Sequence, residues 1–296
     1  LDEITDSIET ERVTNTVKLA DLLRRPGITY ELLAPLDSSE ISALIEKMKR
    51  AGISAPPLLF RLYKKSFDAR KRPDITAVCS VLIAYAPSVK LTERALGAAG
   101  AKVYRDPPIC PERGNEPLGH RPLVVGMGPA GMFCALLLAE NGYSPILIER
   151  GGSVIERAKQ IESFKHTRRL DTDTNIQFGA GGAGTFSDGK LTTGIKDPLC
   201  RKVVEELVAH GAPEEISYSS RPHIGTDRLG AVVKAFREEI IALGGEVRFG
   251  WKLTDLIIAN GVIQGVTCQR PDGGTEDIET DTLLLCIGHS ARDTVE

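Results

Sequence analysis

Three glycines and an acid carry the clearest chemistry in the chain: Gly126, Gly128 and Gly131, followed by Glu149 18 residues beyond the last of them. Gly126 permits a tight turn. Gly128 offers no side chain, so backbone can approach a pyrophosphate, and Gly131 lets a helix pack closely on a strand. Pro129 suits a first helical turn, where a missing N–H costs nothing, and Ala130 shares that turn. The free N–H groups of such a helix start suit phosphate. Glu149 lies near the roughly 20-residue spacing of an acid that accepts hydrogen bonds from two ribose hydroxyls and repels a 2′-phosphate. The implied task is to hold a dinucleotide, with NAD and FAD both open at this point.

A second stretch, 177–190, holds Gly179, Gly181, Gly182, Gly184 and Gly189 with Thr185, Ser187 and Asp188. So many glycines exclude a regular element but permit positive φ and a close approach of backbone to a ligand. Phe178 and Phe186 bracket the run, which favours a cofactor-contacting loop over a solvated one. Asp188, Lys190, His223 and His289 are candidate acids or bases by motif position alone. A structural role weighs more for each, so no catalytic residue is assigned. Arg168 and Arg169 suit either phosphate or a plain surface.

The elements that must position these groups follow from periodicity. Residues 123–125 and 146–148 are wholly apolar, as strands buried on both faces should be. Gly142 fits the stop of the helix between them. Helical patterns follow at 154–164, 200–209 and 228–243, the last capped by Thr226 or Asp227 and stopped by Gly244 and Gly245. Residues 246–249 supply a third parallel strand, and 253–258, 262–269 and 276–279 form an antiparallel meander. Asn260-Gly261 and Asp272-Gly273 mark its turns. Residues 282–286 return to the parallel sheet, and Gly288 opens a turn at its end. This order is that of an FAD-type Rossmann domain; a plain NAD dehydrogenase would continue with βαβ units.

Upstream, residues 1–117 read as a separate small α+β domain with its linker, and 118–296 as the dinucleotide domain. A helix from about 38 to 52, strands at 58–63 and 75–84, a helix at 91–99 and a strand at 101–104 fit a ferredoxin-like module. Arg61, Lys64, Lys65, Arg70, Lys71 and Arg72 form a basic cluster. It suits phosphate or a solvated hairpin end, and the absence of interleaved aromatics favours the latter. The proline-rich stretch 106–117 reads as a linker.

The 296 residues suit about two domains, and 42% hydrophobic with 26% charged residues is an ordinary globular composition. A net charge of −3 draws the chain neither to nucleic acid nor to membrane. No apolar run approaches the roughly 20 residues of a membrane span; the longest, 132–138, sits within an amphipathic pattern. The 6 cysteines show no C-x-x-C spacing and no redox pair near the glycine turn, which fits reduced thiols in a cytoplasmic protein. A start at Leu1 and a stop at Glu296 just after a strand and a glycine are expected of a fragment.

The chain resembles the glutathione-reductase-type FAD-binding fold, and more narrowly the bacterial family of uncharacterised FAD-dependent dehydrogenases or oxidoreductases. The resemblance rests on strings at 64–71, 126–133, 175–191, 222–227 and 287–293. It implies that Glu149, with Arg150 beside it, holds the adenosine ribose, and that the strand near Leu253 meets adenine through its backbone. It places Gly181, Gly182, Gly184, Thr185, Ser187 and Gly189 near the pyrophosphate or isoalloxazine, with Gly288 also at the cofactor. Ala180 departs from the family, which more often carries Glu there. Members of the fold usually add a further strand and a Gly-Asp pair beyond the point where this chain ends.

The expected function is therefore an oxidoreductase with non-covalent FAD, acting on a small molecule, with NAD(P)H a candidate electron partner; no metal is expected. The alternatives are a flavoprotein that binds RNA through the basic hairpin, and a non-catalytic FAD- or NAD-binding protein. The lack of a cysteine pair argues against a disulfide reductase.

Overall fold

The computed structural model describes residues 38–68, 70, 76–104, 114–195 and 197–295. The chain divides into two compact units. One gathers Leu1–Cys110, Asp197–Arg201 and Ser217–Ser220; the other gathers Pro111–Lys196, Lys202–Ile216 and Arg221–Glu296. A contiguous division of the sequence does not contain those two short returns to the first unit.

In the first unit, helix α1 (Ser38–Arg50), strands β1 (Leu59–Asp68) and β2 (Thr76–Ala84) and helix α2 (Glu93–Ala99) occur in that order. The strands form an antiparallel hairpin with a register shift between Leu62 and Lys64. Ile41 of α1 packs on Phe60 and Leu62, and Met48 clusters with Tyr85 and Leu96. Thr92 caps α2, and Gly100 closes it in the left-handed region. The expected strand at 101–104 does not form; those residues join no ladder. Among the described residues the unit has a two-stranded sheet, extended by a bridge from Lys65 to Ser219, and not a four-stranded ferredoxin-like sheet. Of the basic cluster, Lys64 is exposed on β1, and Lys71 and Arg72 lie outside the described residues.

The second unit is built on a parallel sheet of β3 (Leu123–Val125), β4 (Ile146–Glu149), β5 (Glu246–Phe249) and β9 (Leu283–Leu285), in the order β5-β4-β3-β9. Between β3 and β4 lies α3 (Pro129–Glu140). After β4 come α4 (Val154–Thr167), a 3₁₀ turn (Ala183–Phe186), α5 (Leu199–Ala209) and α6 (Thr226–Ala242). The antiparallel meander β6 (Lys252–Ala259), β7 (Val262–Gln269) and β8 (Thr275–Glu279) precedes β9, and a short α7 (Arg292–Val295) follows it.

Strand alternation explains why these runs read as continuously apolar. Val124 and Leu147 face a layer built from Met132 and Leu136 of α3 and Val233, Phe236 and Ile240 of α6. Leu123, Val125, Ile146 and Ile148 face the meander, where they meet Leu253, Val266, Cys268 and Ile278. Period-2 alternation is present, but both faces are covered. The same packing encloses α3, whose residues between Gly131 and Ala139 are all buried or half-buried, so it lacks the polar face expected for 132–138. The Asn260-Gly261 turn has φ of 53° and 76°, the left-handed pair of a type I′ hairpin. The cap of α6 is Gly225, with no side-chain cap bond, in place of Thr226 or Asp227.

Candidate functional site

All four strands of the sheet run parallel, so their carboxyl ends share one edge. The chain leaves β3 for β4 and β5 on one side and returns as β9 on the other. A ligand crevice in an open α/β sheet forms at such a switch of direction. Gly126 sits there with φ of 98°, and a Cβ on it would stand 2.7 Å from the Cys286 carbonyl oxygen at the end of β9. A Cβ on Gly131 would overlap the Gly126 carbonyl oxygen. These two glycines are thus required by the protein's own packing.

Gly128 is different. Its φ of −70° suits any residue, and a Cβ there would meet nothing within 4 Å. It is the N-cap of α3, no side chain caps that helix, and Pro129 and Ala130 form an exposed first turn. An uncapped helix start facing open space is the arrangement that favours an anion. Gly288, at φ of 71° beyond β9, also faces open space. The residues present therefore fit a pyrophosphate-bearing group.

Glu149 is buried, with 6% exposure. Its Oε2 accepts the Met127 N–H at 2.7 Å and its Oε1 accepts the Gly151 N–H at 2.8 Å. Each oxygen keeps further lone-pair capacity. Arg150 turns away to Asp293 at 3.0 Å and Asp173 at 3.4 Å. Lys252 also donates to Asp293, at 2.8 Å. Leu253 puts its side chain in the core beneath the meander, leaving only its backbone for a ligand.

The glycine stretch is more ordered than its composition suggested, since it contains the 3₁₀ turn Ala183–Phe186. Gly179, Gly181 and Gly182 all have positive φ. A Cβ on each would meet, respectively, Arg157 Cδ at 3.0 Å, Val233 of α6 at 2.6 Å and Pro129 Cδ at 2.7 Å. The Gly181 N–H donates to the Met127 carbonyl at 2.8 Å, laying the loop on the first glycine turn. Gly184 lies within the 3₁₀ turn and exposed Ser187 closes it, while the Thr185 hydroxyl is buried with no partner among the described residues. Gly189 pairs its carbonyl with the Ile224 N–H at 3.0 Å, and Leu191 donates to Pro222 at 3.0 Å. The stretches 175–191 and 222–227 thus meet as one antiparallel clasp.

Among the acid–base candidates, Asp188 and Lys190 pair with each other at 2.7 Å on the surface. The Lys190 ammonium lowers the Asp188 pKa, and Asp188 raises that of Lys190. His223 and His289 are both exposed. Arg168, the left-handed C-cap of α4, and Arg169 are exposed as well.

Two features escaped the sequence. Arg157 of α4 is fully buried and donates to five loop carbonyls, those of Asn175, Ile176, Gly179, Ala180 and Gly182. Its guanidinium also stacks over Phe186 at 4.9 Å. Burial lowers its pKa to about 10, opposed by the nearby Glu149 charge, so it is a cation at neutral pH. The available signal was its place in line with Val154 and Ile161 on the inward stripe of α4. The second feature is a thiol pair: Cys134 of α3 and Cys286 after β9 lie close enough to perturb one another. No cysteine pair was expected near the glycine turn, and the two join only through folding. Burial raises both thiols, Cys134 to about 11, so both stay protonated and the pair is not a poised thiolate.

A cavity of about 700 Å³, lined by 114–121, Gly142 and Tyr143, lies at the amino ends of the strands, opposite the glycine turn. Among the described residues no cluster of His, Cys, Asp and Glu suits a metal ion, and no helix is long and apolar enough to cross a membrane.

The described site belongs to a mixed α/β chain with a Rossmann-like parallel sheet backed by an antiparallel meander. The chain is 43% identical over 244 residues to an uncharacterised protein of Clostridium beijerinckii, an alignment covering 79% of this chain and 43% of that protein. It thus spans less than half the length of that relative. No family model matches the sequence. Similar solved structures include Thermovibrio ammonificans THI4, at 16% identity, 58% of each chain covered and a TM-score of 0.38. Another is the glycerol-3-phosphate dehydrogenase of Bacillus halodurans complexed with FAD, at 15% identity, 56% of this chain, 34% of that one and 0.36. A third is a geranylgeranyl bacteriochlorophyll reductase-like protein of Thermoplasma acidophilum, at 14% identity, 57% of this chain, 39% of that one and 0.36. At these scores the structural likeness decides nothing about function.

Proposed function

We propose that the chain is the dinucleotide-binding part of a flavoprotein oxidoreductase that holds FAD non-covalently. One observation carries the proposal: the uncapped start of α3, the Glu149 carboxylate and the Gly181–Gly182 segment converge on one turn at the switch point of the sheet. In this reading the N–H groups of Ala130 and Gly131 face the pyrophosphate, and the spare lone pairs of Glu149 accept the ribose hydroxyls. Leu253 offers backbone towards adenine, and Gly288 leaves room for the chain of the cofactor beyond β9. The meander between β5 and β9 favours FAD over NAD, as does the string resemblance at 175–191.

FAD would supply the hydride chemistry; the chain's residues bind, orient and shield it. No side chain is assigned as catalytic acid or base. The protonated Cys134–Cys286 pair supports a reaction other than disulfide reduction. The substrate is a small molecule in this reading, NAD(P)H is a candidate electron donor, and the setting is cytoplasmic.

The test is the visible spectrum of the purified full-length protein, followed by anaerobic titration with NADH, NADPH and a metabolite panel. Bound flavin bleached by one donor supports the proposal. A colourless protein that takes up no added FAD overturns it. Flavin that no donor reduces would instead support a binding-only protein.

A further inference from the structure

Arg157 is a cation in an unusual setting: among the described residues it forms no ion pair, and carbonyl oxygens satisfy its guanidinium. Nε donates to Asn175 at 2.8 Å and Nη2 to Ile176 at 3.0 Å. Nη1 donates to Ala180 at 2.7 Å, to Gly182 at 2.8 Å and to Gly179 at 3.3 Å. A trans peptide is planar, with its N–H opposed to its C=O. Every carbonyl drawn towards Arg157 therefore turns the next residue's N–H the other way. The Ala180 peptide shows this, because its carbonyl meets Arg157 while the Gly181 N–H reaches Met127. The Gly182 peptide repeats it: its carbonyl meets Arg157, so the Ala183 N–H points away from the guanidinium. Among the described residues that N–H has no acceptor. Gly182 itself lies against Pro129, the first residue of α3.

We infer that Arg157 is a positioning residue for anion binding. It gathers the loop carbonyls on one side so that the Ala183 N–H joins the free N–H groups of the α3 first turn in holding a pyrophosphate. This rests on the proposed FAD site and adds to it a residue that never touches the ligand. Guanidinium is the group suited to the role, since a planar fork of five donors can serve five carbonyls and an ammonium cannot.

The test compares FAD, ADP and adenosine binding by full-length wild-type protein and the variants Arg157→Lys and Arg157→Ala. ADP keeps the pyrophosphate; adenosine lacks it. The expectation is a loss of about tenfold or more for FAD and ADP in Arg157→Lys, with adenosine affinity unchanged. Millimolar guanidinium should restore ADP binding to Arg157→Ala, and ammonium should not. Wild-type ADP affinity in folded Arg157→Lys overturns the inference, as does an equal loss for adenosine. If Arg157→Ala fails to fold, Arg157→Lys decides alone. Should wild-type protein bind neither FAD nor ADP, the flavin proposal fails by itself. Limited proteolysis of apo protein then tests Arg157 separately: faster cleavage within 175–189 in Arg157→Lys supports loop positioning, and unchanged cleavage overturns it.

Discussion

Glu149 Oε2 accepts the backbone N–H of Met127 at 2.7 Å, so the acid at the end of one strand fastens the turn at the end of its neighbour. The second oxygen fastens Gly151 in the same way. Glu149→Gln can satisfy only one of these donors, because its amide NH₂ must face the other. The substitution should cost about 1–3 kcal/mol, read from urea unfolding, besides weakening FAD. Unchanged stability would show that the two backbone bonds contribute nothing.

Gly128 and Gly131 should separate packing from binding. Gly131→Ala forces a methyl into the Gly126 carbonyl and should destabilise by about 1–3 kcal/mol. Gly128→Ala meets open space and should cost less than about 1 kcal/mol while impairing FAD binding, because only a ligand contests that space. Thermal melts with and without FAD distinguish the two. Equal FAD affinity in Gly128→Ala would remove the pyrophosphate from this turn.

The Cys134 thiol, raised from 9.0 to about 11 by burial and then by Cys286, should resist alkylation. At pH 8 its thiolate fraction is about 100-fold below that of a thiol at the ordinary value. Iodoacetamide labelling followed by mass spectrometry should find Cys134 slow at pH 8 and faster towards pH 11. Labelling at pH 8 as fast as a free thiol would contradict the burial argument.

Asp293 gives an acid-side prediction. The Lys252 ammonium, and then the Arg150 guanidinium, hold its carboxyl below the ordinary 3.8. A depressed carboxyl favours the folded form above its unfolded pKa, and that contribution fades as pH falls through the lower, folded value. The hydrogen-exchange protection factor across 288–295, taken against the intrinsic rate at each pH, should therefore fall below about pH 4 in the wild type. Asp293→Asn should exchange quickly there at neutral pH and lose the acid dependence. A wild-type protection factor that does not change with pH would discount the ion pairs.

Much of this architecture was legible because it depends on local signals. The βαβ unit, the meander turns and the returning strand each carry their own glycines, caps or alternation, and these elements formed within a few residues of expectation. The 101–104 segment did not form a strand, since a four-residue alternation has no meaning without a partner edge. The cap of α6 moved to Gly225 because that loop is fixed by its clasp with 189–191, a contact distant in sequence. Arg157 stayed hidden for a related reason. An arginine on an amphipathic helix normally reads as solvated, and only the carbonyls of a loop 18 to 25 residues away make its burial tolerable. Cys134 and Cys286 are likewise adjacent only after β9 docks.

That docking sets an order of assembly. β3, with the glycine turn at its end, leaves the ribosome long before β9, whose Cys286 carbonyl packs against Gly126. Domains made of distant pairings close late. During synthesis the first glycine turn is therefore an exposed half-crevice, and the proposed cofactor site stays incomplete until the meander has emerged and the last strand has slotted in.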